Sequence, residues 1–308
     1  MKSIAYSLRL VGALLLGINS AAWLRAEVDD FSSGNDNLWT HSDPLRGFGV
    51  GGTGTWSVVN GAYRIQASPC QNPATYGPGR AGSLLTGVTY SQFYLTVDLV
   101  NWDNSLDQIF GILTRVSNPG LGTLNGYGFT YATRTGRNAF GELELLRITN
   151  EGGTDMTTAL NISLNPVNHY RMVFVGSGSD FTGMLFQLPD VTTPIATLFA
   201  TDATYATGNI GLFTYDNSST KNHAADSTFD NFAIANVAPP RLSVSVDQFS
   251  DLSVTWPSPA PRYLLQTAGK ITGPWTTVDS SQIVDANGLY SYNGSSASGN
   301  LFFRLQLH

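Results

Sequence analysis

Charge is scarce in this chain: Asp, Glu, Lys and Arg make up 12% of its 308 residues, against roughly 25% in ordinary soluble domains. The surface is therefore expected to be neutral and polar. Cations are the scarcer sign, with 16 Lys and Arg against 22 Asp and Glu. That balance argues against nucleic acid and anionic membrane surfaces as partners, since both are held by clustered basic residues. The one cysteine, Cys70, excludes an internal disulfide, so the fold has to be held by burial or by a bound metal. The four histidines, His41, His169, His223 and His308, lack ligand spacing, which argues against zinc. No Gly-x-Ser-x-Gly elbow, His-Glu-x-x-His pair or phosphate-cradling glycine loop is present. Helical periodicity is almost absent.

What is present begins with a processing signal. Lys2 and Arg9 charge the start, Leu10 to Ile18 is apolar, and the small residues Ser20, Ala21, Ala22 and Ala26 follow. This apolar run is far short of the roughly 20 residues of a membrane-spanning helix, and no second long run follows. Residues 1–26 are thus expected to be a cleaved signal peptide, with the mature protein exported to a periplasm or the extracellular space. Cleavage would also remove Lys2, Arg9 and Arg25, leaving 13 basic residues against 22 acidic ones and a net charge of about −9, computed from the same composition.

Strand signals then follow one another. Asn60-Gly61, a dipeptide that tolerates positive φ, links Thr55–Val59 to Ala62–Gln66 as a two-residue hairpin turn. Phe93, Leu95, Val97 and Leu99 alternate with Tyr94, Thr96, Asp98 and Val100, the period of a strand with one buried face. Similar runs cover 108–116, 126–133, 142–149, 169–176, 181–188, 195–202 and 208–215, separated by turn clusters such as Ser117-Asn118-Pro119-Gly120 and Asn150-Glu151-Gly152-Gly153. About a dozen strands without intervening helices predict an all-β, two-sheet antiparallel sandwich. At Val237-Ala238-Pro239-Pro240 the pattern breaks, and a boundary is expected near residue 239. Beyond it, Leu242–Val246, Leu252–Trp256, Tyr263–Gln266, Trp275–Val278 and Phe302–Leu305 predict a second, small β-sandwich, with Trp256 and Trp275 read as core.

The bracket formed by Glu27-Val28-Asp29-Asp30-Phe31 and Ser227-Thr228-Phe229-Asp230-Asn231-Phe232 resembles the first and last strands of the concanavalin-A-like jelly-roll superfamily. Asn168–Val175, Phe181–Phe186 and Gly208-Asn209-Ile210-Gly211-Leu212 are similar to the rhythm of its laminin-G-like modules. The resemblance covers residues 27–238, and residues 239–308 resemble immunoglobulin-like or fibronectin type III-like modules. It implies a jelly roll and a superfamily that holds both enzymes and binders, so function has to be argued from a site.

Family 16 glycoside hydrolases in that superfamily carry two glutamates flanking an aspartate on one strand. Gly141-Glu142-Leu143-Glu144-Leu145-Leu146-Arg147 is similar, but Leu146 and Arg147 stand where the third carboxylate belongs. Glu142 and Glu144 share one strand face at a Cα spacing of about 6.7 Å, from a rise of about 3.3 Å per residue. Paired glycosidase carboxyls stand about 5 to 9.5 Å apart, which keeps a two-carboxylate enzyme as the alternative reading. The resemblance also implies a structural calcium joining the opening and closing strands, through Asp30 and Asp230. A hard cation wants six to eight oxygens and would clamp a domain that lacks disulfides. Polysaccharide is the expected partner, because sugar recognition uses aromatic faces and neutral polar groups on a rigid scaffold. Trp102, Tyr127, Tyr131, Arg134 and Glu144 are the expected contacts, and the loop Cys70 to Arg80 is a candidate border of the binding surface. The expectation is a secreted, non-catalytic carbohydrate-binding or adhesion protein, with a structural envelope or matrix role as a third possibility.

Overall fold

The alternating segments all form strands. A computed structural model describes residues 26–134, 140–191, 193–218, 224–235, 242–246, 251–257, 263–286, 289–295 and 301–307. The expected boundary at residue 239 and the leader, apart from Ala26, lie outside the described residues. In chain order the first part comprises β1 (Ala26–Asp29), β2 (Trp39–Ser42), β3 (Gly54–Val59), β4 (Ala62–Ala67), a one-turn helix (Pro73–Tyr76), β5 (Arg80–Leu85), β6 (Phe93–Trp102), β7 (Gln108–Ser117) and β8 (Asn125–Ala132). It continues with β9 (Gly141–Thr149), β10 (Gly152–Asp155), β11 (Leu160–Ile162), β12 (Tyr170–Ser177), β13 (Asp180–Gln187), β14 (Ala196–Thr201), β15 (Asn209–Asp216) and β16 (Ala225–Ala235).

These strands make two eight-stranded antiparallel sheets. The first runs β14-β13-β12-β6-β16-β4-β3 with β1 also on β16, and the second runs β10-β9-β8-β7-β15-β5-β2 with β11 also on β9. Together they form a jelly-roll sandwich. The Asn60-Gly61 turn is as expected: φ is 54° and 78° at the two residues, and Val59 pairs with Ala62 across it. Strands β2 and β5 carry weak local signals. Trp39-Thr40-His41-Ser42 and Arg80-Ala81-Gly82-Ser83-Leu84-Leu85 do not alternate cleanly, and only the places of β5 beside β15 and of β2 beside β5 make them strands.

One apolar core fills the space between the sheets. Phe93, Phe174, Phe181 and Phe229 enter from the first sheet, and Phe110, Tyr127, Phe129, Tyr131 and Leu212 from the second. Rings meet across the gap, with Tyr127 and Phe181 centroids 4.4 Å apart and Phe129 and Phe174 5.7 Å apart. Arg115 is also buried. Its guanidinium donates to the carbonyls of Ser91, Gly178 and Tyr205 and lies 4.8 Å from the Phe181 ring centre, so carbonyl dipoles and ring faces replace its water.

The last part contains β17 (Ser243–Val246), β18 (Asp251–Pro257), β19 (Tyr263–Ala268), β20 (Thr276–Thr277), β21 (Ile283–Ala286), β22 (Leu289–Ser295) and β23 (Phe302–Leu307). They form sheets β17-β18-β22-β21 and β20-β19-β23. Leu252, Val254, Trp256, Leu265 and Val278 are buried together. Trp256 is core, as expected, whereas Trp275 is half-buried with the Arg304 guanidinium 4.5 Å from its ring centre.

Candidate functional site

Each strand of the second sheet sends alternate side chains to opposite faces. Registry across the sheet therefore defines the outer face in rows. One row reads Ser42, Gly82, Phe213, Gly111, Thr130, Glu144, and the next reads Thr40, Leu84, Gly211, Leu113, Gly128, Leu146, Asp155. A third reads Arg80, Tyr215, Ile109, Ala132, Glu142. Glycine recurs where neighbouring strands carry bulk, so the face is hollow along its middle. Gly111 has no substitute there, because its φ is 149° and an added Cβ would lie 2.4 Å from the Phe129 carbonyl oxygen.

Two adjoining clefts occupy this face and share Ile148, Glu151, Phe213 and Tyr215. The first is apolar, lined by Leu84, Leu113, Leu124, Ile148 and Phe213. Its rim is fastened by Arg80, whose Nε and one terminal nitrogen donate to Glu151 at 2.8 and 2.7 Å. The other terminal nitrogen donates to the carbonyls of Tyr76 and Pro78. The Cys70 to Arg80 loop thus does border the groove. The second cleft is polar, lined by Arg134, Glu144, Glu151, Asp155 and Asn217.

Arg134 reaches two carboxylates at once. Its Nε donates to Glu142 and a terminal nitrogen donates to Glu144, both at 2.5 Å, and the Thr130 hydroxyl donates to Glu144 at 3.1 Å. Burial pulls both partners toward neutrality. For Arg134 the surrounding Glu144, Glu142 and Asp107 overcome burial, and its pKa is raised. For Glu144 burial prevails over Arg134 and Thr130, with Asp155 and Glu142 adding to the upward shift. A guanidinium thus bridges the two carboxylates that a glycosidase would place on either side of a sugar linkage.

Arg134 and Glu144 are brought together on this face as an ion pair. The aromatic expectations are corrected: Trp102, Tyr127 and Tyr131 are buried between the sheets. Tyr127 and Tyr131 occupy the inward parity of β8, and the register shift at Val100 in β6 turns Trp102 inward as well. Their polar tips are satisfied internally. The Tyr127 hydroxyl donates to Asp202 and accepts from the Tyr205 amide, the Tyr131 hydroxyl accepts from the Leu164 amide, and the Trp102 indole donates to Asn104. Phe213, Tyr215, Glu151 and Asp155 replace them on the groove. One available signal was the run of small residues Gly126, Gly128, Thr130 and Ala132 alternating with those rings.

On the first sheet, Asp30 lies close enough to Asp230 to raise its pKa. Asp30 accepts from the amide and hydroxyl of Ser32, at 3.1 and 2.7 Å, and these bonds lower its pKa. Asp230 accepts from the Asn231 amide at 2.6 Å. Its pKa is raised, first by burial and then by Asp98 and Asp30. Asp98 is buried and held by Arg171, at 2.7 and 2.9 Å, and by Asn231. Among the described residues no group of three or more His, Cys, Asp or Glu side chains is arranged to hold a metal. Carboxylates alone therefore fall short of the six to eight oxygens calcium takes, and backbone carbonyls or water would have to supply the rest.

No protein-family model and no curated protein matches the chain. Solved structures do. A carbohydrate-binding module from Bacillus subtilis is 15% identical, over 64% of this chain and 95% of that one, with a TM-score of 0.46. A Bacillus licheniformis β-glucanase is 13% identical over 69% of this chain and 98% of that one, TM-score 0.47. A lectin complexed with galactose is 11% identical over 69% and 99%, TM-score 0.43. At these identities and scores the likenesses transfer neither ligand nor activity to this chain.

Proposed function

We propose that the outer face of the second sheet is a carbohydrate-binding groove and that the protein is an exported, non-catalytic glycan-binding protein. The observation that carries this reading is the hollow face itself. A glycine-lined trough flanked by Phe213 and Tyr215 offers ring faces, and carboxylates and hydroxyls at one end offer acceptors for sugar hydroxyls. Binding to a surface or matrix polymer would make it an adhesion protein. The leader expected over residues 1–26 supports export.

The Arg134 bridge supports the non-catalytic part, because a carboxylate bonded to a guanidinium is poorly placed to attack or to donate a proton. Thermal shift and pull-down against a panel of soluble and insoluble polysaccharides test the reading. One or more neutral polymers should bind, and Phe213→Ala should weaken that binding about tenfold, the size of one aromatic contact of roughly 1–1.5 kcal/mol. Failure to bind any glycan overturns the reading. Release of new reducing ends from a bound polymer, abolished by Glu142→Gln, would move the protein to the glycosidases.

A further inference from the structure

The donor and acceptor balance of the groove goes one step further and, resting on the glycan reading, restricts the class of glycan. The cationic side chains lining the two clefts, among the described residues, are Arg80 and Arg134. Arg80 has its Nε and both terminal nitrogens engaged by Glu151 and two carbonyls, and Arg134 is bonded to Glu142 and Glu144. Three carboxylates, Glu144, Glu151 and Asp155, therefore line the clefts with two guanidiniums that are already held by protein groups. Asp155 is exposed on β10, no Lys or Arg pairs with it among the described residues, and it acts electrostatically on Glu144.

We infer that the groove selects by charge: it takes uncharged or amine-bearing glycans, which bring hydrogen-bond donors, and rejects uronic-acid and sulfated ones. A ligand carboxylate would meet acceptors without a free cation. Sugar hydroxyls and amines meet acceptors that still have lone pairs to offer. A ligand charge about 6 Å from the surplus carboxylate, Asp155, in a water-like dielectric, loses roughly threefold in affinity.

The test is titration calorimetry of the mature chain with matched oligomers: neutral β-glucan, xylan and galactan, chitosan, and oligogalacturonate. A neutral or chitosan oligomer should bind at least about threefold tighter than oligogalacturonate at low salt. The gap should narrow at high salt and in Asp155→Asn, and Asp155→Lys should reverse the preference of chitosan over oligogalacturonate. Oligogalacturonate binding as tightly as the best uncharged oligomer, or a gap that both Asp155 variants leave unmoved, overturns the charge inference while leaving a glycan-binding groove standing. Silence from every oligomer overturns the glycan reading and this inference with it.

Discussion

The two faces of β8 differ more than the faces of any ordinary half-buried strand require. Inward, Tyr127, Phe129 and Tyr131 are buried in the core; outward, Gly126, Gly128, Thr130 and Ala132 are small and, like the rings, buried. β7 repeats the contrast with Phe110 and Ile112 inward and Gly111 outward, and β15 with Leu212 inward and Gly211 outward beside Phe213. Large rings are concentrated on the face that holds the sandwich together, and on the other face the smaller cluster of Leu84, Leu113 and Ile148 leaves room for a groove. Stability and recognition therefore reside in neighbouring residues of the same strands, so single substitutions one position apart should move one property and not the other.

The strongest break in that symmetry is Phe129→Ala. Phe129 is fully buried and meets Phe174 across the sheets, and deleting a buried phenyl ring costs about 3–5 kcal/mol. Urea unfolding of residues 27–238 should show that loss, whereas Phe213→Ala in the groove should cost far less. Equal losses for the two variants would mean that the outer face is as much a core as the inner one.

Next in size is the bridge at the groove's polar end. Arg134→Met leaves the buried Glu144 without its cation, which should destabilise the fold by about 3 kcal/mol near neutral pH. The sign with pH follows from the raised pKa of Glu144. A carboxylate whose folded pKa lies above its unfolded value of about 4.5 binds more protons when folded, so stability falls as pH rises from there through the folded pKa. The Arg134→Met deficit should thus shrink toward pH 4 and below, and Glu144→Gln on that background should restore most of it. A deficit independent of pH would assign the effect to packing of the arginine stem.

The fold was legible because strand periodicity is local. Phe93, Leu95, Val97 and Leu99 declare their buried face within one segment, and Asn60-Gly61 declares its turn. The groove was only half legible. Glu144 stood out as a charge on a strand, and Arg134 as one just past a strand, in a chain poor in charge, but which parity of β8 faces outward is set by the opposite sheet, and rings draw attention that belongs to the glycines between them. Phe213 sits beside Leu212, and two adjacent apolar residues do mark a strand covered on both faces. Arg80 and Glu151 meet only because β5 and the β9–β10 turn are brought together across the sheet, which no local pattern announces.

A smaller effect separates groove shape from stability more cleanly. At Gly82 an added Cβ comes within 3.3 Å of the Leu212 carbonyl oxygen and 3.6 Å of the Phe213 Cβ, so Gly82→Ala fits the strand with a shift of a few tenths of an ångström while filling the floor. Stability should change by less than about 1 kcal/mol, and affinity for a bound glycan should fall about tenfold, or roughly 1.4 kcal/mol. Unchanged affinity would place the ligand elsewhere.

The smallest expected effect lies on the other sheet and tests the proposed calcium. Asp230 ionises first against its own burial and then against Asp98 and Asp30. Those causes raise its folded pKa, so its ionisation opposes folding, and the penalty is in full force once pH exceeds that folded value. A cation shared by Asp30 and Asp230 would relieve that opposition and tie β1 to β16 at the point where both chains turn through left-handed residues, Phe31 and Asn231. Calcium in excess should therefore raise Tm by a few degrees and chelator should reverse it, the response expected of a ligand that binds only the folded state. Asp230→Ala should abolish the response and, by removing the repulsion, raise the Tm measured in chelator. If the calcium response survives Asp230→Ala, the ion sits elsewhere; if Asp230→Ala lowers the chelator Tm, the carboxylate is held by favourable contacts and the repulsion argument fails.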